Sequence, residues 1–449
     1  MALTAAEQFM LELINRARLD PAAEAARLGI GLNDNLAPGQ LGIQARQALA
    51  PNALLEAAAI GHSQWMLAAD VFSHTGKGGS SPGDRAKAAT YNWNSYGENI
   101  SWIGTTGKID LNASIQAQHD SLFKSASHRV NFLNDGFREV GIAQEQGVFT
   151  QGRNFNTSMV TELFGRAGTK VFLTGVAYSD TNKDGFYSIG EGKGGVYFAA
   201  QGMWASTENA GGYSLALNAN ASVAVSGTVG TLNFTATVVM SIGNVKLDVV
   251  DGNTLLSSGS LTLGTGINNA RLLGIGALDA TGNAAANKLT GNNGANTLTG
   301  LAGNDDLRGA GGNDRLLGGT GLDSLFGDAG NDMLYGGDED DSLSGGSGAD
   351  RLYGDIGRDQ LAGGADADTF VFTSGGGADV ITDFTRSQND MIWLDDAIWG
   401  GAVKTEAQVV AQYARVVSGS VVFDFGNGNT ISLTGVITLT GSADQIDII

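Results

Sequence analysis

From residue 287 onward an Asp or Asn returns every nine residues: Asn287, Asn296, Asp305, Asp314, Asp323, Asp332, Asp341, Asp350, Asp359 and Asp368. Two residues after each stands an apolar side chain, in a series running from Leu289 to Leu361 and ending at Phe370. Glycines fill the turns between them, as in Gly318-Gly319-Thr320-Gly321 before Asp323. Glycine permits the positive φ angles and close backbone approach of a short loop. Aspartate and loop carbonyls are hard oxygen ligands, which suit Ca²⁺. Glycine and aspartate alone would be compatible with a disordered linker. A linker has no use for inward apolar residues at a fixed period, so the register points to a folded repeat.

The nonapeptide resembles the RTX calcium-binding repeat, which is a parallel β-roll. The resemblance implies that each apolar residue centres a three-residue strand, that two nonapeptides make one coil, and that residues 18 apart stack. Asp305, Asp323, Asp341 and Asp359 should then line one edge and Asp314, Asp332, Asp350 and Asp368 the other, all as calcium ligands. Asn287 and Asn296 lack the charge and should bind weakly. RTX proteins leave the cell through an uncleaved C-terminal signal read by type I secretion machinery. The resemblance therefore places this chain outside the cell. Met1 to Met10 carries no basic and apolar leader pattern of a cleavable signal peptide. The block from Ala367 to Leu394, with Asp379-Val-Ile-Thr and Asp390-Met-Ile-Trp, looks like the family's usual end. The stretch from Ser418 to Ile449 reads as strands that cap the roll and carry the signal.

Composition agrees. The chain has 449 residues, no cysteine and a formal charge of −20. Residues 287–372 hold 15 acidic and 5 basic side chains, a net of −10. A secreted chain without disulfides needs another staple, and bound metal is one. Such acidity argues against nucleic acid or anionic membranes as partners. No apolar run approaches the ~20 residues of a transmembrane segment.

The first 167 residues have a different texture and hold all four histidines. Thr4 with Glu7 has the spacing of a helix capping box, and Phe9, Met10, Leu13 and Ile14 give that helix an apolar face. Further helices are expected over about 52–69 and 111–126, and short strands at Val140–Ala143 and Met159–Phe164. Four segments, Phe72-Ser-His74-Thr-Gly76, Gly97-Glu98-Asn-Ile100, Ser125-Ala-Ser-His128-Arg-Val-Asn-Phe-Leu133 and Phe137-Arg-Glu-Val-Gly-Ile-Ala143, resemble the CAP (SCP, pathogenesis-related) superfamily in order and spacing. The resemblance implies an αβα sandwich whose cleft bears two His and two acidic residues. His74, Glu98 and His128 match three of these, and the fourth position falls on Ser125. Two imidazoles and a carboxylate could hold Zn²⁺ with an open fourth position, form a His–Glu pair for acid–base work, or pin loops together. His62 and His119 are expected outside that pocket.

Between these parts, Gly165–Thr169 reads as a linker, and residues 170–251 as short strands with glycine turns, a small β-sandwich. Within it, Asp180-Thr-Asn182-Lys-Asp184-Gly185-Phe186-Tyr-Ser-Ile-Gly-Glu191 fits the twelve-residue EF-hand spacing. Asp180, Asn182 and Asp184 take ligand positions one, three and five, the Phe186 carbonyl position seven, and Glu191 the bidentate position twelve. The flanks read as strands, so this is a calcium loop in a β module, similar to the B-type repeats of bacterial surface proteins. Residues 252–286 read as degenerate first coils of the roll.

The expected architecture is multidomain: an α+β (αβα) CAP domain over 1–167, a β-sandwich with a calcium loop over 168–252, a parallel β-roll over 253–372 and a β cap with a type I secretion signal over 373–449. The expected function is that of a secreted calcium-binding protein whose CAP cleft takes a small apolar or lipid-like ligand, a metal or a cell-surface partner. The alternatives are a metal-dependent hydrolase working through His74, Glu98 and His128, and a structural cell-surface or matrix protein. The chain has neither an H-E-x-x-H nor a G-x-S-x-G motif, which disfavours a zinc protease or a lipase of the familiar kinds.

Overall fold

The computed structural model describes residues 3–240, 243–438 and 443–449. Two compact units divide the chain, Met1–Gly259 and Ser260–Ile449.

The first unit begins with helix α1 (Ala5–Leu19), started by the expected capping box: Thr4 N–H donates to Glu7 Oε2 (2.8 Å) and Glu7 N–H to Thr4 Oγ1 (3.3 Å). α2 (Pro21–Arg27), β1 (Ala50–Pro51), α3 (Ala53–Ala69), α4 (Pro82–Ala88), β2 (Ser95–Thr105), α5 (Leu111–Lys124), α6 (Ala126–Phe132), β3 (Glu139–Thr150) and β4 (Asn154–Arg166) follow. The strands form one sheet in the order β1-β3-β4-β2, antiparallel except for the β1–β3 pair. Helices cover both faces. On one, Met10, Leu13, Ile14, Ile115, Phe123 and Phe132 pack with Val140, Ile142, Val160 and Phe164. On the other, Leu55, Ala59 and Met66 of α3 meet Ala143, Leu163 and Met159. α3 lies so close to the sheet that a Cβ at Gly141 would overlap the Leu55 carbonyl. This is the αβα sandwich. The helix expected over 111–126 is broken at Ser125, which has extended dihedrals and caps both α5 and α6.

Four residues separate β4 from β5 (Val171–Tyr178), and a β-sandwich follows: β6 (Tyr197–Ala200), β7 (Met203–Ser206), β8 (Gly212–Leu217), β9 (Asn220–Val229), β10 (Leu232–Met240), β11 (Val245–Val250) and β12 (Thr254–Ser257). β12-β11-β5-β8 make one layer and β10-β9-β6-β7 the other. Phe198 from one layer stacks on Tyr213 from the other, with ring centroids 3.8 Å apart. The sandwich does not hang on a tether. Lys246 of β11 forms a buried ion pair with Glu12 of α1 (2.7 Å) and another with Asp248. Asn244 donates to the carbonyls of Ala48 (2.9 Å) and Arg138 (2.7 Å). In consequence every side chain of α1 from Ala6 to Asn15 is buried, polar ones included.

The second unit is a coil of parallel strands. One ladder stacks Thr297–Ala302, Arg315–Thr320, Met333–Asp338, Arg351–Ile356 and Thr369–Phe372; the other stacks Lys288–Thr290, Asp306–Arg308, Ser324–Ala329, Ser342–Ser347 and Gln360–Ala365. Partners are 18 residues apart, as Leu298↔Leu316 and Leu325↔Leu343 show. The inward leucines are fully buried, and Phe370 with them. The degenerate coils join the same ladders: Leu261 pairs with Ala280 and Asn269 with Lys288. At the far end Met391–Leu394 pairs with Thr369–Phe372 and Ile446–Ile448, and Ala378–Ile381 with Asn429–Leu433. The cap also holds a helix over Glu406–Tyr413, which the strand-like alternation nearby did not suggest. Residues 439–442 of the expected secretion-signal region lie outside the described residues.

Candidate cleft and cation sites

β2 and the loop after α3 bring two of the CAP candidates together. His74 Nδ1 lies 2.9 Å from Glu98 Oε1. The His74 side chain is 52% exposed and that of Glu98 only 2%. The second oxygen of Glu98 is held by the guanidinium of Arg85, which also donates to the carbonyls of His74 (3.1 Å) and Ser80 (2.9 Å). Arg85 is thus part of the site, and sequence reasoning missed it: it sits on α4 in a segment without a motif. His128 comes from α6. Its ring stacks toward that of His74 at 6.4 Å between centroids, and its Nδ1 is 2.8 Å from Ser125 Oγ. Burial and the neighbouring His74 hold the His128 pKa below the usual imidazole value. Ser125 serves here as the hydrogen-bond partner of His128.

Beneath these groups runs a buried polar chain. Asn131 Nδ2 donates to Asn99 Oδ1 (2.9 Å) and to the Glu98 carbonyl (3.1 Å), and Asn99 Nδ2 donates to Glu162 Oε2 (3.1 Å). Glu162 is wholly buried on β4, its Oε1 has no partner, and burial raises its pKa to about 8. This chain ties α6, which carries His128, to β2, which carries Glu98. His62 lies directly behind the His74 loop. Its ring stacks on Trp65 at 5.6 Å and its Nε2 is 2.9 Å from the Ser73 carbonyl. Burial lowers its pKa. His119 lies elsewhere, fully buried against Phe123 and Phe132 with Nε2 3.0 Å from Glu24. Glu24, His119 and Asp120 are the one set among the described residues whose ligand atoms all lie within 4.8 Å of one another. Arg16 and Arg27 already pair with Glu24, and Arg27 with Asp120, so charge there is balanced without a metal.

In the β module, Glu191 is 7% exposed and gathers the loop around itself. Its Oε1 accepts from the N–H of Thr181 (3.0 Å) and Asn182 (3.3 Å), and its Oε2 from Ser188 N–H (2.8 Å). Asp184 Oδ1 accepts from Phe186 N–H (2.8 Å), and Asp180 Oδ2 from Gly185 N–H (3.0 Å). Asp180 Oδ1 is buried without a partner. The donor set, all oxygen with one orphaned carboxylate atom, fits Ca²⁺.

The roll repeats one arrangement along both edges. Each aspartate accepts through Oδ1 the backbone N–H of the residue 18 positions earlier: Asn287 N–H to Asp305, Asp305 to Asp323, Asp323 to Asp341 and Asp341 to Asp359 on one edge (2.7–2.8 Å). Asp314, Asp332, Asp350 and Asp368 do the same on the other. In all eight the second oxygen, Oδ2, is buried with no partner. It faces a glycine that admits no side chain: a Cβ at Gly318 would collide with Asp323 Oδ2, and the Gly336 carbonyl lies 2.5 Å from the same point. Orphaned carboxylate oxygens beside backbone carbonyls cost free energy unless a cation joins them. Burial accordingly raises the aspartate pKa values, to about 6 at Asp323 and about 8 at Asp341. Asn287 and Asn296 differ. Their amide oxygens accept from the N–H of Asn283 and Asn292 (2.8 Å each), and their NH₂ groups donate to the carbonyls of Asn268 (3.0 Å) and Leu278 (2.8 Å). The ladders end on two aspartates outside the nine-residue period, Asp379 and Asp390, which accept from Asp359 N–H (3.0 Å) and Asp368 N–H (3.1 Å). The D-x-Ile pattern at both was the available signal.

Two protein-family models match the chain. Residues 11–153 match the model of the cysteine-rich secretory protein family, CAP. Residues 281–316, 308–343 and 335–370 each match that of the RTX calcium-binding nonapeptide repeat. The chain carries a CAP domain followed by RTX calcium-binding repeats. Among solved structures, an extracellular protein containing an SCP domain from Bacillus anthracis str. Ames is similar over 27% of this chain and 35% of its own, at 25% identity and a TM-score of 0.21. The extracellular lipase LipA from Serratia marcescens is similar over 41% of each chain, at 20% identity and a TM-score of 0.21. This chain thus spans well under half the length of either. No curated protein matches.

Proposed function

We propose that this is a secreted CAP protein whose C-terminal roll is folded by extracellular calcium after export through type I secretion machinery. The observation that carries the reading is the set of eight buried, partnerless Asp Oδ2 atoms. In cytosol, where calcium is scarce, those carboxylates oppose one another and the leucines cannot pack. The chain then stays extended enough to thread. Outside, modules of this kind bind at ~10⁻⁴–10⁻³ M calcium, and binding becomes folding free energy. Among the described residues no helix is long and apolar enough to cross a membrane. Expression beside a type I exporter tests the proposal: the intact chain appears in the medium, and a chain ending before residue 390 stays inside. Export of the shortened chain at an unchanged level would refute it.

The CAP cleft acts as a binding site for a small apolar ligand or a surface partner. Val71 and Phe72, each 41% exposed, precede His74 in the chain and supply apolar surface beside its polar groups. A second reading, metal-dependent hydrolysis through His74, Glu98 and His128, draws on the half-exposed His74 ring facing His128. Arg85 weighs against it, because a carboxylate already neutralised by a guanidinium is a poor third ligand for Zn²⁺. Zinc calorimetry on the intact protein separates the two. Binding that is lost in His74→Ala would favour the metal site, and no zinc binding would leave the ligand cleft.

A further inference from the structure

The loop over residues 180–191 belongs by sequence to the β module, yet its middle is built into the core of the CAP domain. Tyr187 is 1% exposed and joins the cluster that contains Phe9, Met10 and Ile14 of α1; Phe186 and Ile189 pack against the same cluster. The Phe186 ring stands 6.4 Å from that of Phe9, and the Arg16 guanidinium lies 4.9 Å over it. Ile189 N–H donates to Asn112 Oδ1 (3.2 Å) in the first turn of α5. So the six residues between Asp184 and Glu191 touch two of the helices, α1 and α5, that cover one face of the CAP sheet. α5 in turn ends at Ser125, the partner of His128.

We propose that calcium in this loop is the latch of the CAP domain: cation binding at Asp180, Asp184 and Glu191 holds Phe186, Tyr187 and Ile189 in the CAP core, and its loss loosens α1 and α5. This rests on the reading of the loop as a calcium site. Asp180, Asp184 and Glu191 stand at ligand positions one, five and twelve of a loop that contains one lysine and no other cation, and Asp180 Oδ1 is buried with no partner. Without a cation the buried Asp180 Oδ1 stays unpaired, a cost that opening to water relieves. Opening withdraws a buried tyrosine and two further apolar side chains from the α1–α5 side of the core, which then exposes apolar surface to water. A ligand that binds only the closed loop stabilises everything packed on it. The CAP domain would thereby mature under the same extracellular condition as the roll, although none of its own residues binds the metal.

Amide hydrogen exchange on the full-length protein tests this, because it reads the loop, α1, α5 and the roll separately. In the wild type, calcium at about 10⁻³ M should slow exchange in the loop and, by about tenfold or more, in α1 and α5. Glu191→Ala should abolish both effects while the roll still responds. Glu191→Gln, which keeps the side chain's length and one of its two accepting oxygens and removes the charge, guards against a folding failure of the alanine variant and should give the same loss. Ile189→Ala, which touches no ligand, should keep the loop's response and reduce that of α1 and α5. Loop protection without any change in α1 and α5 would overturn the latch while leaving the calcium site standing. No calcium response in the loop itself would overturn both.

Discussion

Glu162 shows at the scale of one residue how burial sets chemistry. It lies on the core side of β4 with a single hydrogen bond, from Asn99, and burial lifts its pKa to about 8. Burial thus favours its neutral form in the native protein. Its folded value lies above the ordinary carboxylate value of 4.5. The stability it contributes is thus complete below pH 4.5 and is lost as pH rises toward 8, since only the unfolded chain gives up the proton in that window. Glu162→Gln should flatten this decline: calorimetric melting of the first unit should fall less between pH 5 and 8 than in the wild type. Equal slopes would show that Glu162 is ionised in the native state. The same contrast between acid and amide explains Asn287 and Asn296. An amide donates where a carboxylate can only accept, so these coils satisfy themselves. Asp323→Asn with Asp341→Asn should accordingly lower the number of calcium ions bound and raise the calcium concentration needed to fold the roll, seen by far-UV circular dichroism. An unchanged midpoint would mean that these two aspartates bind no metal.

At the scale of the element, the roll's ladders are cooperative arrays. Each aspartate receives its N–H bond from the coil before it and exposes one orphaned oxygen to a glycine carbonyl in the coil after it. Their raised pKa values, about 7 at Asp305, Asp314, Asp350 and Asp368, lie above the ordinary value of 3.8. In the absence of calcium the folded roll binds more protons than the unfolded chain across pH 4–7, so its stability falls as pH rises through that range. In EGTA the roll should therefore hold more β structure at pH 5 than at pH 8, and calcium at pH 8 should restore it. A calcium-free roll that is more ordered at pH 8 would contradict this account. The ladders also need their ends. Asp379 and Asp390 accept the last two N–H groups, and Ile446–Ile448 covers the edge of Met391–Leu394. An uncovered parallel edge is a template for further pairing. Ending the chain before residue 390 should thus raise the calcium midpoint and promote aggregation in light scattering, apart from its effect on export.

At the scale of the whole molecule, the two proposals have calcium act on the two compact units by different routes: along the eight-aspartate array in one, and through the latch in the other. Calorimetry in EGTA should show the second unit without a cooperative transition, and the first unit melting at a lower temperature than in calcium. A single transition unmoved by calcium would rule out both effects.

What the sequence by itself determined was everything that repeats or is local. The nine-residue period set the stacking of Leu298 on Leu316, because a register of inward side chains has one way to pack. Thr4 and Glu7 set the first helix cap, since the groups that bond are three residues apart. The four CAP segments placed His74 beside Glu98, though Arg85, from α4, carried no signal. The tertiary structure alone decided the rest, through contacts between residues far apart in the chain. It broke the helix at Ser125 so that its hydroxyl meets His128, and it buried α1 from Ala6 to Asn15 on all sides, with Lys246 paired to Glu12. It also turned Phe186, Tyr187 and Ile189 away from their own module into the CAP core. Burial is a property of what lies opposite, and no spacing within one segment records it: Glu162 lies in a strand-like run of the sequence, and only the fold buries it and pushes its pKa up.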